Sequence, residues 1–395
     1  MRLRPVALAL TACALALPAR AQQLASLVSP PELGGAARFS SMADSIMRHV
    51  MHDQAIPGIS VAIVKDGQVV MERGWGTTRS HQPATASTVY QIASVTKQFT
   101  AAAVLLLAEE GRIRLDEPIT QYVDGLPPVY AEVTLGALLN HTAGVPNFTE
   151  FMRRFRDPLT PTKLIGALAA RPLQFAPGSG FRYSNSGYYL LGLMIEQVTG
   201  QPYAGFLRDR FWAPLGMDDT RYCGADETPL PAGYARNARG DEVTTPPWHP
   251  SVLYAAGSVC STVTDLAKWA VALGEGRVLR PESYRMMTTP APSPDAHLRM
   301  TYGYGMMVDT TDAGPYLHHD GAIPGFRAQI AWYPAEHLAV VVLMNQGLAA
   351  PEPIERDLTR AVLGVAPTEP RLAGPRPSAS TRAAAGSLPW PWREP

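Results

Sequence analysis

Two blocks of strand-type sequence lie at opposite ends of this chain with a long helical stretch between them, and that arrangement restricts the fold more than any other feature. Near the N-terminal end, Ile59-Ser60-Val61-Ala62-Ile63-Val64 is dense in β-branched residues, Asp66-Gly67 is a turn signal, and Val69-Val70-Met71 resumes the pattern, so a hairpin is expected. Near the other end, residues 303–308, 316–319, 326–333 and 338–344 read as further strands. Helical spacing covers 37–52, 94–110, 135–140, 161–170, 186–199, 202–212, 263–273 and 353–363. The expected fold is α+β: one antiparallel sheet assembled from both ends, flanked by helices, with an inserted mainly helical lobe.

The two extremes of the chain read differently. Arg2 and Arg4 precede an apolar run from Val6 to Leu17, and Ala19-Arg20-Ala21 supplies small residues of the kind a signal peptidase reads, so residues 1–21 are expected to be an export signal. Leu10-Thr11-Ala12-Cys13 offers a competing lipoprotein reading, set back by how early Cys13 falls. A domain expected to be exported, periplasmic or secreted, then occupies 22–366, and the Pro- and Arg-rich segment 367–395 has the composition of a disordered tail. Without Cys13, the remaining cysteines are Cys223 and Cys260, either disulfide-bonded in an oxidising compartment or two buried thiols. Formal net charge is zero, which gives no electrostatic footprint for nucleic acid, and no later apolar run is long enough to span a membrane.

The chemistry is concentrated in three short segments. In Ser94-Val95-Thr96-Lys97, residues three apart share a helix face, so the amine can reach the serine hydroxyl. Burial disfavours an ammonium, and a neutral lysine can take the serine proton. Taken alone, the pair is a weak signal and reads more readily as a capping serine and a surface lysine. Two facts favour chemistry: the chain has four lysines, Lys65, Lys97, Lys163 and Lys268, and only Lys97 follows a serine by three, at the start of an apolar helix. Tyr183-Ser184-Asn185 sits before a helix. Tyr183 is suited to shuttle a proton, with nearby cations lowering its pKa, and Asn185 can hold a substrate amide and the lysine together. In His319-Asp320-Gly321, Gly321 admits a substrate backbone to a strand edge, and His319 can donate to a substrate carbonyl or carboxylate. A metal site at His318, His319 and Asp320 is disfavoured because adjacent strand residues face opposite sides.

In this order the three segments resemble the serine β-lactamase and penicillin-binding superfamily. The likeness extends to Gln91–Lys97, to Leu138-Leu139-Asn140-His141-Thr142-Ala143-Gly144-Val145-Pro146, to Pro177–Tyr188, to Ala255-Ala256-Gly257-Ser258 with 261–266, and to His319–Phe326, together spanning roughly 40–363. Tyr183 makes it similar to the class C-related branch, which also holds D-aminopeptidases, D-Ala-D-Ala carboxypeptidases and esterases. The resemblance implies a β-lactamase/transpeptidase-like fold and an acyl-enzyme on Ser94, with Lys97 as base and Tyr183 as proton shuttle. It also implies an oxyanion site between the Ser94 and Ala322 backbone N–H groups, and no cofactor. The substrate is expected to be a small molecule or peptide: an ester, a D-amino-acid amide or peptide, or a β-lactam. Class C β-lactamases place lysine where this chain has His319, so the esterase and D-peptidase reading is preferred. A penicillin-binding sensor that acylates without turnover is the other reading. The sequence does not specify the oligomeric state.

Overall fold

The computed structural model describes residues 33–79, 82–224, 230–237, 239–291, 301–311 and 314–365. The expected signal, its Cys13 alternative and the C-terminal tail lie outside them. Residues 1–42 and 43–395 form separate compact units. Of the first, only the opening turns of a helix are described; the second carries everything that follows. In chain order the elements are α1 (Leu33–Asp53), the hairpin β1 (Gly58–Lys65) and β2 (Gln68–Gly76), β3 (Tyr90–Gln91), a 3-10 turn (Ala93–Val95) and α2 (Thr96–Glu109). The helical lobe follows with α3 (Leu135–Leu139), α4 (Phe148–Phe151), α5 (Pro161–Ala169), α6 (Asn185–Thr199) and α7 (Tyr203–Leu207), which runs into a π turn. Then come β4 (Arg221–Tyr222), β5 (Gly233–Arg236), β6 (Glu242–Thr245), α8 (Pro250–Leu253), β7 (Val259–Ser261), α9 (Val263–Gly274) and α10 (Pro281–Thr288). The chain closes with β8 (Met307–Thr311), β9 (Gly314–Ile323), β10 (Phe326–Tyr333), β11 (Leu338–Met344) and α11 (Pro351–Val362).

The expected α+β architecture is present. The main sheet is six-stranded in the order β2-β1-β11-β10-β9-β8, so the first hairpin and the last strands share it. Val61 pairs with Val342 and Ile63 with Val340, antiparallel. β11 is buried at every residue, because helices cover both faces at the sheet centre, and its Leu-Ala-Val-Val-Val-Leu-Met run is accordingly apolar throughout. β2, at the edge, exposes Glu72, Arg73, Val69 and Val70. On one face lie α2 and α9. Phe99 and Trp269 pack there with ring centroids 4.2 Å apart, and the Trp269 indole N–H donates to Gln98 Oε1 at 3.0 Å. On the other face lies α11, held by the fully buried Glu355, whose Oε1 accepts from the Tyr333 and Thr359 hydroxyls at 3.0 and 2.8 Å.

Sequence and structure differ at some boundaries. The helix expected from Ser94 begins at Thr96, because Ala93 takes a left-handed φ of 46° and the chain passes through a 3-10 turn first. Residues 303–306 are not strand; pairing starts at Met307. A second small sheet, β3-β7-β4, was not expected, and the Cys223–Cys260 disulfide ties its β7 to the residue after β4, with Cα atoms 5.1 Å apart. Among the described residues, no helix is long and apolar enough to cross a membrane.

Candidate active site

The small sheet sets the position of Ser94. The Ile92 N–H donates to Val259 O at 3.1 Å, and the Val259 N–H donates to Thr96 Oγ1 at 3.1 Å. One residue of β7 therefore grips the chain on both sides of the serine. Ser94 itself is part-exposed while Ala93, Val95 and Lys97 are buried, so the hydroxyl is the reachable group of its turn. The strained φ of Ala93 lies next to it, as is common where a reactive group must be aimed.

Lys97, one helical turn on, is fully buried, and burial holds its pKa well below the ordinary lysine value, with the nearby Asp320 charge pulling weakly the other way. Its Nζ lies 2.8 Å from Asn185 Oδ1, 2.7 Å from Ala256 O and 3.2 Å from Ser94 Oγ. The first two partners can only accept from it. A neutral amine has two N–H donors, so both are used there, and its lone pair is left facing the Ser94 hydroxyl. The buried side of the site is closed by two backbone approaches. A Cβ at Gly305 would stand 2.6 Å from Lys97 O, and a Cβ at Gly321 would stand 2.2 Å from Ile92 O.

Tyr183 forms the other wall. Lys97 Nζ lies 4.7 Å from its ring centroid, and Ser94 is close enough to its phenol to act on its pKa. The expected lowering of its pKa is not found. Burial, reinforced by Asp320, pushes it upward, and the Ser94 contact only partly offsets this. A neutral lysine supplies no cation to do otherwise, so the resting side chain is a phenol. Asn185 opens α6, and Asn147 Oδ1 receives its backbone N–H at 3.2 Å.

His319 and Gly321 lie on β9 with side-chain positions toward this site, while His318 faces the other side and contacts Asp309 at 3.1 Å. His319 departs from its expected role as a substrate donor. Its Nδ1 lies 2.6 Å from Asp320 O, which can only accept, so Nδ1 carries the proton; Nε2 then accepts from the Tyr302 hydroxyl at 2.9 Å. Both nitrogens are engaged, and burial holds the ring at a pKa of about 4 against the opposing pull of Asp320. Ala322 follows Gly321, paired with Arg327 of β10. Pairing between β8 and β9 runs from Gly314 to His318, and among the described residues no strand pairs with the outer edge at 319–323. Among the described residues, no group of three or more His, Cys, Asp or Glu side chains is arranged to hold a metal ion.

The structure thus brings Ser94, Lys97, Tyr183 and Asn185 into direct contact and sets His319, Gly321 and Ala322 along the neighbouring strand. It adds Ala256, Tyr302 and His141. Ala256 and His141 fall in segments noted for their resemblance, but only a contact reveals what they touch; Tyr302 lies in no such segment.

This fold and this arrangement of side chains are similar to those of β-lactamase-type proteins. Residues 43–364 match the family described as Beta-lactamase, and the chain belongs to that family. It is 29% identical to Protein flp of Staphylococcus aureus (strain MW2) over 76% of its own length, and spans 62% of the length of that relative. Among solved structures it resembles the octameric penicillin-binding protein homologue from Pyrococcus abyssi, with 29% identity and a TM-score of 0.75 over 84% of this chain and 78% of that one. The D-amino acid amidase from Ochrobactrum anthropi SV3, complexed with L-phenylalanine amide, gives 29% identity and a TM-score of 0.74 over 83% of this chain and 99% of that one. A place in the class C-related branch is consistent with these neighbours.

Proposed function

We propose that this chain is an exported serine hydrolase that forms an acyl-enzyme on Ser94 and acts on D-amino-acid amides, D-peptides or short esters in preference to β-lactams. The observation that carries the chemistry is the Lys97 amine, whose two donors are fixed on Asn185 Oδ1 and Ala256 O and whose remaining position faces Ser94 Oγ at 3.2 Å. Lys97 takes the Ser94 proton as Oγ attacks the carbonyl carbon. Tyr183, a phenol at rest, gives its proton to the leaving amine or alcohol and is reprotonated from the Lys97 ammonium. Lys97 is then neutral again, and through Tyr183 it activates the water that releases the acid. The backbone N–H groups of Ser94 and Ala322 receive the oxyanion. The uncovered edge of β9 at 319–323 suits an extended substrate, and Asn185 orients it.

The substrate preference has two supports. His319 is neutral and turned inward, so it offers no fixed positive charge to a carboxylate. The D-amino acid amidase is among the structural neighbours that this chain spans almost completely. Export is supported by the N-terminal sequence and by the Cys223–Cys260 disulfide, a bond characteristic of oxidising compartments.

Ser94→Ala tests the reading. Turnover of a D-phenylalanine amide, a p-nitrophenyl ester and nitrocefin is compared with the wild type, alongside labelling by a fluorophosphonate. Loss of about 10³-fold or more with loss of labelling is expected. A variant that keeps its rate sinks the acyl-enzyme, and a wild type fastest on nitrocefin replaces the substrate preference with a β-lactamase.

A further inference from the structure

His141 lies in the loop after α3, 2% exposed, with a left-handed φ of 63°. Non-glycine residues seldom adopt that conformation, and those that do are held there by their surroundings. The surroundings here are the backbone that carries Tyr183. His141 O accepts the Arg182 N–H at 3.0 Å, and His141 Nδ1 accepts the Ser184 N–H at 3.2 Å. The residues on either side of Tyr183 are thus bonded to one and the same residue. The imidazole also packs against the Tyr183 ring, with centroids 4.3 Å apart, and against Tyr302 and Tyr188 at 4.7 and 5.2 Å.

The direction of the Nδ1 bond fixes the tautomer. Since Nδ1 accepts, the proton is on Nε2, which is buried and has no hydrogen-bond partner among the described residues. Burial keeps the ring neutral. His141 touches neither Ser94 nor Lys97 by a hydrogen bond among the described residues, so its route to the chemistry runs through Tyr183.

We propose that His141 is a positioning residue: a two-point splint on residues 182 and 184 that holds the Tyr183 phenol at Ser94. This rests on the reading above, in which Tyr183 passes the proton to the leaving group. A small rotation of the 182–184 backbone would carry the phenol away from Ser94, and misplacement by about 1 Å is enough to cost about 10²-fold in rate.

The test uses two substitutions with opposite losses. His141→Phe keeps an aromatic ring and removes the side-chain acceptor. His141→Asn removes the ring, keeps an acceptor near the same place and tolerates a left-handed backbone. With a p-nitrophenyl ester, His141→Phe is expected to lower kcat about 10²-fold with KM changed less than about threefold, and His141→Asn to stay within about tenfold of wild type. Combining either with Tyr183→Phe is expected to cost no more than about threefold beyond Tyr183→Phe alone, because residues acting as a unit are non-additive. A folded His141→Phe enzyme at wild-type rate overturns the proposal. So do losses that multiply in the Tyr183→Phe background, or an Asn variant as poor as the Phe variant. Should His141→Phe not fold, the Asn variant alone decides, by its rate and its effect on Tyr183→Phe. Ser94→Ala runs in parallel. Undiminished turnover there refutes the acyl-enzyme itself, whereas its loss together with multiplicative His141 and Tyr183 effects refutes only the splint.

Discussion

Replacing Asn185 by aspartate places a carboxylate where the amide oxygen stands, 2.8 Å from Lys97 Nζ. The proposed base works only when neutral, so kcat/KM falls as pH drops through the Lys97 pKa, which burial holds well below the ordinary lysine value. A neighbouring anion stabilises the ammonium and must raise that pKa, moving the acid limb toward higher pH. At the 2.8 Å separation, Coulomb attraction amounts to about 1.5 kcal/mol in a water-like dielectric and about 6 kcal/mol at an effective dielectric of about 20. At about 1.4 kcal/mol per pH unit, the limb is expected to move by about one unit at least and by about four at most. The assay is the pH dependence of kcat/KM for a neutral ester, where substrate ionisation cannot move the limb. Asn185→Ala serves as the uncharged control, because it removes the same contact without adding a charge. An Asn185→Asp acid limb that coincides with that of Asn185→Ala, or lies below it, refutes Lys97 as the neutral base.

Glu355 is fully buried, and burial pushes its carboxyl to about 7 from an ordinary value of 4.5. Between those values the folded state holds the proton and the unfolded state does not, so this stabilisation is complete below about 4.5 and lost as pH rises through about 7. The stability of Glu355→Gln relative to wild type should therefore climb between pH 5 and 8 by about 3 kcal/mol at most, read from urea unfolding at each pH; a flat difference contradicts the burial argument. His319→Lys should raise the ratio of nitrocefin to ester kcat/KM by about tenfold, since a cation replaces a neutral ring; an unchanged ratio would separate substrate preference from this position. Removing the Cys223–Cys260 bond by a double alanine substitution opens a link across 37 residues and should cost about 4 kcal/mol in thermal or urea unfolding, and a Tm equal to wild type contradicts this.

Much of the site was legible because its logic is local. Ser94 and Lys97 are three residues apart on the chain, and Tyr183 and Asn185 two apart, so the sequence carries both pairs whole. The main sheet was legible for a related reason: strands such as 59–64 and 338–344 are long enough to show composition. β3 and β4 are two residues each and show none, although β3 leads directly into the Ser94 turn. α10 was missed because Pro-Glu-Ser-Tyr-Arg-Met-Met-Thr is short and polar. The Ala256 carbonyl that fixes Lys97 is a backbone group, and any side chain there would supply it. The state of Tyr183 was misjudged because burial is a property of the packed chain: the expectation had nearby cations lowering its pKa, although the neutral Lys97 that was also expected supplies none. His319 was expected to donate to substrate, but Asp320 O accepts its N–H and Tyr302, 17 residues away, occupies its other nitrogen.

The close approaches at Gly305 and Gly321 have a consequence for how this chain can be changed. At both positions the atom in the way belongs to the backbone of the nucleophile turn or of the lysine helix, at 2.2 and 2.6 Å, so a side chain there must displace catalytic main chain and cannot merely crowd a flexible neighbour. The buried side of the cleft is therefore closed to gradual variation: saturation libraries at 305 and 321 should return almost only glycine. Selection for a new acyl donor therefore has to act at positions whose side chains do not meet the main chain around Ser94 and Lys97.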